Sequence, residues 1–143
     1  EGVLVEYKKP NTKHLAIKTN PYPKFSTDMQ AQFSALLVTS NFPSEITENI
    51  FENRFMHIAE LQRMGAKVEI KKKKINITPI KQLTGATLKA TDLRASMALV
   101  IAALSAKGKS TITNIFHLDR GYETLEEKLE RCGAKISREY VSQ

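Results

Sequence analysis

Two aspartates occupy matching places in two similar stretches of the sequence. Asp28 lies in "PKFSTDMQAQFSALLV" and Asp92 in "KATDLRASMALV", each directly after a threonine and just before an apolar run. Thr27 and Gln30 match a capping box, and Thr91 can cap its own helix. We therefore predict that the threonines cap the helices and leave the aspartates free. A free carboxylate can act as a general base toward a hydroxyl group.

Three arginines occupy predicted helix starts. Arg54 and Arg120 are equivalent residues of two similar segments, and Arg94 follows Asp92 in the first helical turn. A helix N-terminus carries about half a positive charge, so a cation there costs roughly 0.3–1 kcal/mol. Each arginine either pairs with an acidic neighbour or helps to bind an anion, and we favour the anion because three arginines share this placement. The candidate neighbours are Glu52, Asp119 and Glu123.

These residues belong to a longer internal repeat. "SEITENIFENR" (44–54) matches "STITNIFHLDR" (110–120), and "LQRMGAKVEI" (61–70) matches "LERCGAKISR" (129–138). The offset between matched residues is 64 at the two aspartates and 68 at Gly65 and Gly133. A small drift of this kind indicates a duplicated unit with loop insertions. We place repeat one at about 15–80 and repeat two at about 81–143 of a single partial domain.

Each repeat is predicted to fold as β-α-β-α-β-β, from its apolar periodicity and turn residues. The first helices are expected at 28 to about 40 and 92 to about 106, and the second helices at about 54–64 and 120–132. Gly65 and Gly133 are expected to end the second helices. Because the first helices are apolar on all sides, we expect them to be buried at the centre of an α/β domain, with sheets outside them.

The single cysteine, Cys132, takes the place of Met64 in the repeat. With Leu125 and Leu129 it forms an apolar stripe on a predicted helix, which favours a buried structural residue over a reactive thiol. One cysteine excludes an internal disulfide and suits a reducing compartment, so we expect a cytoplasmic protein. The histidines lack the spacing of metal ligands, and no metal site is predicted. They are His14, His57 and His117.

The formal net charge of +7 implies a surface that attracts anions, such as nucleic acid, an acidic membrane or phosphorylated small molecules. Lys71 to Lys74 lie between "KVEI" and "INITPI", which we predict to be two strands of a hairpin with the lysines at its turn. No aromatic residues alternate with these lysines, as a stacking surface for nucleic acid would need. A stand-alone basic module that binds phosphate or nucleic acid is the alternative to an enzyme.

Four longer segments resemble the enolpyruvyl transferase family, most specifically its branch that acts on UDP-N-acetylglucosamine. They are "PYPKFSTDMQAQF", "IFENRFMHIAELQRMGA", "LTGATLKATDLRASMALV" and "HLDRGYETLEEKLERCGA". The resemblance implies an inside-out α/β barrel, with this chain as two of the three units of the C-terminal-side domain. The implied partner is the enzyme's N-terminal domain, without which we expect no activity. No membrane, nucleic acid or cofactor is implied.

The implied reaction moves the enolpyruvyl group of phosphoenolpyruvate to the 3-hydroxyl of UDP-N-acetylglucosamine, the first committed step of peptidoglycan synthesis. By resemblance, Asp28 is the favoured base beside the sugar hydroxyl, and Asp92 is a second aspartate near the reacting centre. Ile50 matches a position whose backbone touches the nucleotide sugar. The family's acid cysteine belongs to the other domain, and Cys132 does not match it. The arginines implied on the phosphoenolpyruvate side are Arg54, Arg94 and Arg120.

Overall fold

The computed structural model, which describes residues 2–6, 8 and 13–140, contains two separate β-sheets and five α-helices. The strands are β1 (Leu15–Lys18), β2 (Ser44–Thr47), β3 (Lys67–Lys71), β4 (Lys74–Thr78), β5 (Thr87–Lys89) and β6 (Thr111–Thr113). The helices are α1 (Gln30–Val38), which follows a 3-10 turn at Thr27–Met29, α2 (Met56–Arg63), α3 (Leu93–Ser105), α4 (Phe116–Asp119) and α5 (Leu125–Arg131). The fold is mixed α/β, as predicted, and neither sheet of the described chain is closed. None of these helices has the length and apolar character needed to cross a membrane.

The larger sheet has the strand order β1-β2-β4-β3, in which β1 and β2 are parallel and the other pairs are antiparallel. Ile17, Ile46 and Ile75 lie opposite one another on three neighbouring strands and are buried. Because side chains alternate between the two faces of a strand, these residues lie on the face that joins the hydrophobic core. This sheet supports α1 and α2, which both pack against it.

The predicted lysine hairpin is present, with a shorter turn than expected. Lys71 and Lys74 pair with each other at the ends of β3 and β4, so only Lys72 and Lys73 form the turn. Lys72 has φ +54°, as a two-residue hairpin turn requires. Ion pairs occupy two of the lysines, because Lys71 Nζ lies 3.0 Å from Glu69 and Lys74 Nζ lies 2.8 Å from Glu45. The alternative of a nucleic-acid module gains no support from this turn.

Helices α1 and α3 pack against each other at the centre of the molecule. Small residues dominate their buried faces, and Ala35, Ala98 and Ala102 are fully buried. Small side chains allow two helix axes to approach closely. Leu36 and Leu104 are exposed, so the expectation that these helices are buried on all sides is wrong along one flank of each. No element of the described residues covers those flanks.

Repeat two departs from its prediction after β6. Of the expected helix 120–132 only α5 forms, the separate short helix α4 lies before it, and α5 has no buried residue. Gly133, like Gly65, ends its helix with a positive φ, +92° and +93° respectively. Residues 134–140 form no strand, whereas repeat one has the β3–β4 hairpin at this point. At the offset of 68 the counterpart of β4 would begin at residue 142, outside the described residues, and no described strand pairs with residues 134–140.

The prediction that Cys132 is buried is wrong, because its side chain is exposed. Its counterpart Met64 is fully buried in the core cluster. The difference follows from the hairpin, since α2 packs against β3 but α5 has no equivalent strand beside it. Arg138 instead holds the segment after α5, with ion pairs of 2.6 Å to Asp119 and 2.7 Å to Glu126.

Candidate active site

Asp28 lies at the front of α1 and contacts arginines from both repeats. Its Oδ1 lies 2.7 Å from Nη2 of Arg94 and 4.0 Å from Nη1 of Arg54. The Asp28 side chain is 56% exposed, so the carboxylate is accessible from solvent. The arginines therefore have an acidic partner from a distant part of the sequence, and not a neighbour such as Glu52. A carboxylate and two guanidinium groups meet at one accessible surface, which suits both proton transfer and anion binding.

The helix caps differ from the prediction. Asp92 caps α3, because its Oδ1 accepts hydrogen bonds from the N–H groups of Arg94 and Ala95, both at 2.9 Å. Its extended backbone, with φ −157°, lets a short acidic side chain reach back to those groups. Thr91 does not cap, and its hydroxyl only approaches Asp92 Oδ2 at 3.4 Å. The prediction that both aspartates are free of capping is therefore wrong for Asp92.

In repeat one the cap is Ser26, whose Oγ accepts a hydrogen bond from the N–H of Asp28 at 3.1 Å. The predicted capping box of Thr27 and Gln30 is absent, because the Thr27 hydroxyl bonds to other side chains. The carboxylate of Asp28 is thus free of capping, as predicted, and points to the arginines.

Glu48 is a buried carboxylate that the sequence reasoning missed. It is 2% exposed and lies just after β2. Its Oε1 accepts hydrogen bonds from the Thr19 hydroxyl at 2.7 Å and from the N–H groups of Ile50 at 2.8 Å and Phe51 at 3.1 Å. Its Oε2 accepts from the Thr27 hydroxyl at 2.9 Å. Burial alone would raise the pKa of Glu48, but these hydrogen bonds outweigh burial and hold the pKa below its usual value.

Thr27 connects Glu48 to the arginines. The Thr27 hydroxyl donates to Glu48 and accepts a hydrogen bond from Nη1 of Arg54 at 3.0 Å. The Arg54 guanidinium also lies 4.8 Å from the centre of the Phe51 ring, a cation–π distance. Glu48 binds both Thr27 and the backbone of Phe51, and so fixes the two groups that orient Arg54. Ile50, predicted to contact substrate, lies in this same loop.

A sequence signal for Glu48 exists in the internal repeat. Thr113 of repeat two corresponds to Thr47, because each pairs with the last residue of the parallel strand beside it, Lys89 or Lys18. Asn49 aligns with Asn114, so Glu48 has no counterpart in repeat two. An acidic residue at the end of a β-branched strand, present in one copy of a repeat and absent from the other, indicates a position with a special role. The alignment of the repeats would have identified Glu48 on that ground.

Arg120 does not lie where the prediction expected it. It follows the last residue of α4, while the next helix begins at Leu125, so Arg120 is not at a helix start. Its side chain is exposed and has no ion pair or side-chain hydrogen bond to any described residue. Arg54 and Arg94 contact Asp28, and Arg120 is not brought to that cluster by a contact.

A cavity of about 20 Å³ lies at the cluster, between α1, α2 and α3. Its polar lining includes Asp92, Arg54 and two residues that the sequence reasoning did not select, Gln30 and His57. His57 is 2% exposed. Burial lowers the pKa of His57 to about 4. The Asp92 charge opposes this by raising the pKa, and the Arg54 charge lowers it by a smaller amount. His57 is therefore a neutral imidazole at neutral pH.

Comparison with known proteins identifies the family. Residues 1–129 match the family model of EPSP synthase (3-phosphoshikimate 1-carboxyvinyltransferase). The UDP-N-acetylglucosamine 1-carboxyvinyltransferase of Bartonella henselae is 57% identical over 122 residues, which are 85% of this chain and 28% of that protein. The protein of the same name from Pelagibacter ubique is 57% identical over 126 residues, which are 88% of this chain and 30% of that protein.

A solved structure agrees with these sequences. The enolpyruvyl transferase NikO from Streptomyces tendae matches with a TM-score of 0.78 and 31% identity, over 87% of this chain and 29% of that one. The chain therefore spans about 30% of the length of the relatives that it matches. The resemblance inferred from the sequence is confirmed, and the chain belongs to the EPSP synthase family of enolpyruvyl transferases.

Proposed function

We propose that this chain is part of a longer cytoplasmic enzyme (the complete enzyme) that transfers the enolpyruvyl group of phosphoenolpyruvate to the 3-hydroxyl of UDP-N-acetylglucosamine, for peptidoglycan synthesis. The observation that carries the proposal is the exposed Asp28 carboxylate beside Arg94 and Arg54. Relatives 57% identical to the chain are named for this substrate. The chain would then supply two units of an inside-out barrel and one wall of a cleft, and an N-terminal domain would supply the other wall.

Asp28 is the base in the proposed mechanism. The sugar hydroxyl gives its proton to the Asp28 carboxylate as its oxygen forms a bond to C2 of phosphoenolpyruvate, and C3 gains a proton to become a methyl group. In the second step the bond from C2 to the phosphate oxygen breaks, phosphate leaves, and C3 loses a proton to restore the double bond. The base requires an accessible carboxylate near the substrate's hydroxyl, and the exposure of Asp28 supports this role.

Arg54 and Arg94 are the proposed anion-binding groups. Both are less exposed than Asp28, and both can bind carboxylate or phosphate oxygens in a bidentate manner. Both approach Asp28, so an arriving anion must compete with this carboxylate for the arginines. We propose that Asp92 also contacts the reacting centre, that the loop at Ile50 contacts the nucleotide sugar, and that Arg120 joins the site in the complete enzyme.

The test is the substitution Asp28→Asn in the complete enzyme, with phosphate release measured in the presence of both substrates. Loss of the base is expected to lower kcat by about 10²–10⁴-fold and leave the fold intact, because the side chain is exposed and the amide has the same shape. Glu69→Gln is the matched control, since Glu69 is an exposed carboxylate on β3 that pairs with Lys71. Its kcat should equal that of the wild type.

Two results would contradict the proposal. Retention of most of the activity by Asp28→Asn would remove Asp28 from the role of base. A wild-type enzyme that releases phosphate with shikimate 3-phosphate as acceptor, and not with UDP-N-acetylglucosamine, would place the chain with the other branch of its family.

A further inference from the structure

Two buried polar side chains near Asp92 lack hydrogen-bond partners among the described residues. Gln30, the first residue of α1, is 0% exposed, and neither its Oε1 nor its Nε2 is bonded. His57, the second residue of α2, is 2% exposed, and its Nε2 is likewise unbonded. Buried polar atoms in folded proteins are nearly always bonded to protein or to ordered water. Three such atoms, on two residues that line one cavity, therefore indicate a bound polar molecule.

Both residues line the same cavity, and its size limits what that molecule can be. The space is about 20 Å³, and a water molecule needs at least roughly 10–15 Å³ by the same measure. A single water fits in this space. The amide of Gln30 offers a donor and an acceptor, which suits a ligand that can both donate and accept. The lining carries the Asp92 carboxylate together with the guanidinium groups of Arg54 and Arg94, so its charge does not by itself require an anion.

Asp92 has the capacity to accept a hydrogen bond from that water. Its Oδ1 already accepts two hydrogen bonds from the front of α3, from the N–H groups of Arg94 and Ala95. Its Oδ2 has only the 3.4 Å contact from the Thr91 hydroxyl. Asp92 lines the cavity together with Gln30 and His57. One water with these partners would have the two to four polar contacts that a buried water needs.

We propose that Gln30 and His57 hold one water molecule that donates a hydrogen bond to the Asp92 carboxylate, and that both are positioning residues for the reaction. The water fixes the orientation of the carboxylate that caps α3, and with it the start of the helix that carries Arg94. His57 contributes as a neutral imidazole, in keeping with its lowered pKa. The catalytic part of this inference rests on the proposed function, and the water site does not.

The first test is a crystal structure of the complete enzyme at about 1.8 Å resolution. We expect a single water within about 3.2 Å of His57 Nε2, of the Gln30 amide and of an Asp92 carboxylate oxygen. A direct Gln30–His57 hydrogen bond in place of the water, a chloride ion at this point, or no density in the cavity would each overturn the inference.

The second test is kinetic. Gln30→Met and His57→Leu keep the volume of the side chain and remove its polar atoms. Each is expected to lower kcat about tenfold or more, while the KM values of both substrates stay within about twofold. His57→Gln restores a polar group near the position of Nε2, so its kcat should be several-fold above that of His57→Leu. The melting temperature of each variant, measured in parallel, separates a loss of kcat from a loss of folded protein.

These outcomes separate the two proposals. An active wild-type enzyme in which Gln30→Met has normal kcat, or in which His57→Gln and His57→Leu are equally impaired, contradicts the positioning role. A wild-type enzyme without transferase activity contradicts the proposed function, and the crystallographic test of the water site still stands.

Discussion

At the scale of single residues, the site depends on how each carboxylate is bonded. Glu48 is buried and accepts four hydrogen bonds, so it is a fixed structural anion. Asp92 uses one oxygen as a helix cap, and Asp28 is exposed and faces only arginines. A carboxylate whose oxygens already accept hydrogen bonds has little capacity to receive a substrate proton. Among these three, Asp28 is therefore the one available for proton transfer.

Substitutions of Asp92 should affect the stability of the protein and its activity differently. Asparagine caps a helix about as well as aspartate, so Asp92→Asn is expected to unfold with a free energy close to that of the wild type, whereas Asp92→Ala should lose about 1 kcal/mol. Both substitutions remove the negative charge and should lower kcat. Urea unfolding and phosphate release, measured on the complete enzyme, give the two quantities. Equal destabilisation by Asn and Ala would show that the cap contributes nothing, and full activity of Asp92→Asn would exclude a role in the reaction.

His57 should make the protein less stable in mild acid. Its pKa rises from about 4 in the folded state to the ordinary 6.5 on unfolding. Between these values the unfolded chain binds a proton that the folded chain does not, so the free energy of unfolding falls as the pH is lowered from about 6.5 to about 4, by at most about 3 kcal/mol. Glu48 adds a further loss below its unfolded value of 4.5, because its folded pKa is lowered.

The measurement is a series of urea unfolding curves across this pH range. His57→Gln should flatten the dependence between pH 6.5 and 4. A variant at His57 that retains the full slope would show that another group is responsible.

At the scale of elements, periodicity and glycine predict the strands and helix ends from the sequence. The contacts between residues that are distant in the chain are not predicted. The strands at Leu15–Lys18 and Thr87–Lys89 and the stop at Gly65 follow from local patterns. The contact of Asp28 with Arg94 joins two repeats, and no local pattern contains it. The burial of Glu48 likewise depends on donors about 20 to 30 residues away. The prediction that Cys132 is buried failed for the same reason, because the described part of its repeat lacks the hairpin that covers Met64.

Cys132 tests that explanation. In the 143-residue chain the exposed thiol should react rapidly with an alkylating reagent, and in the complete enzyme, where a further strand can complete the hairpin, it should react at least about tenfold more slowly. Met64→Cys combined with Cys132→Ser is the control, because residue 64 is fully buried and should react slowly in both proteins. Mass spectrometry of the labelled peptides gives the rates. Equal rates for Cys132 in the two proteins would contradict the missing-strand explanation.

At the scale of the whole molecule, two features indicate surfaces that contact another part of a larger protein. Leu36 and Leu104 are exposed on the central helices. The candidate site is an open surface and not an enclosed pocket. Its cavity of about 20 Å³ is far too small for a nucleotide sugar, since ligand pockets are typically about 300–1,000 Å³. Under the proposed function, enclosure of the substrate would therefore require residues beyond those that the structure describes.

The isolated 143-residue chain is accordingly expected to be inactive. Purified chain mixed with phosphoenolpyruvate and UDP-N-acetylglucosamine should release phosphate at the background rate, because one wall of the cleft cannot exclude water or supply the acid for C3. The positive control is the chain mixed with the remaining part of the complete enzyme as a separate polypeptide. If the two parts associate, phosphate release should rise above background. Release above background by the chain alone would show that one wall is sufficient.

The bonding of Glu48 has a consequence for how such a molecule arises by gene duplication. Duplication creates two equal units, yet the buried anion and its donors exist in one of them, and in the other Asn114 follows directly on Thr113, the counterpart of Thr47. In the same way Gln30 in one unit aligns with Arg94 in the other. The two copies share the aspartate and the arginine of the candidate site, Asp28 with Asp92 and Arg54 with Arg120, and they differ in the groups around them. A recombinant gene with two copies of the second unit would keep the ancestral symmetry and lose the asymmetry on which the site depends.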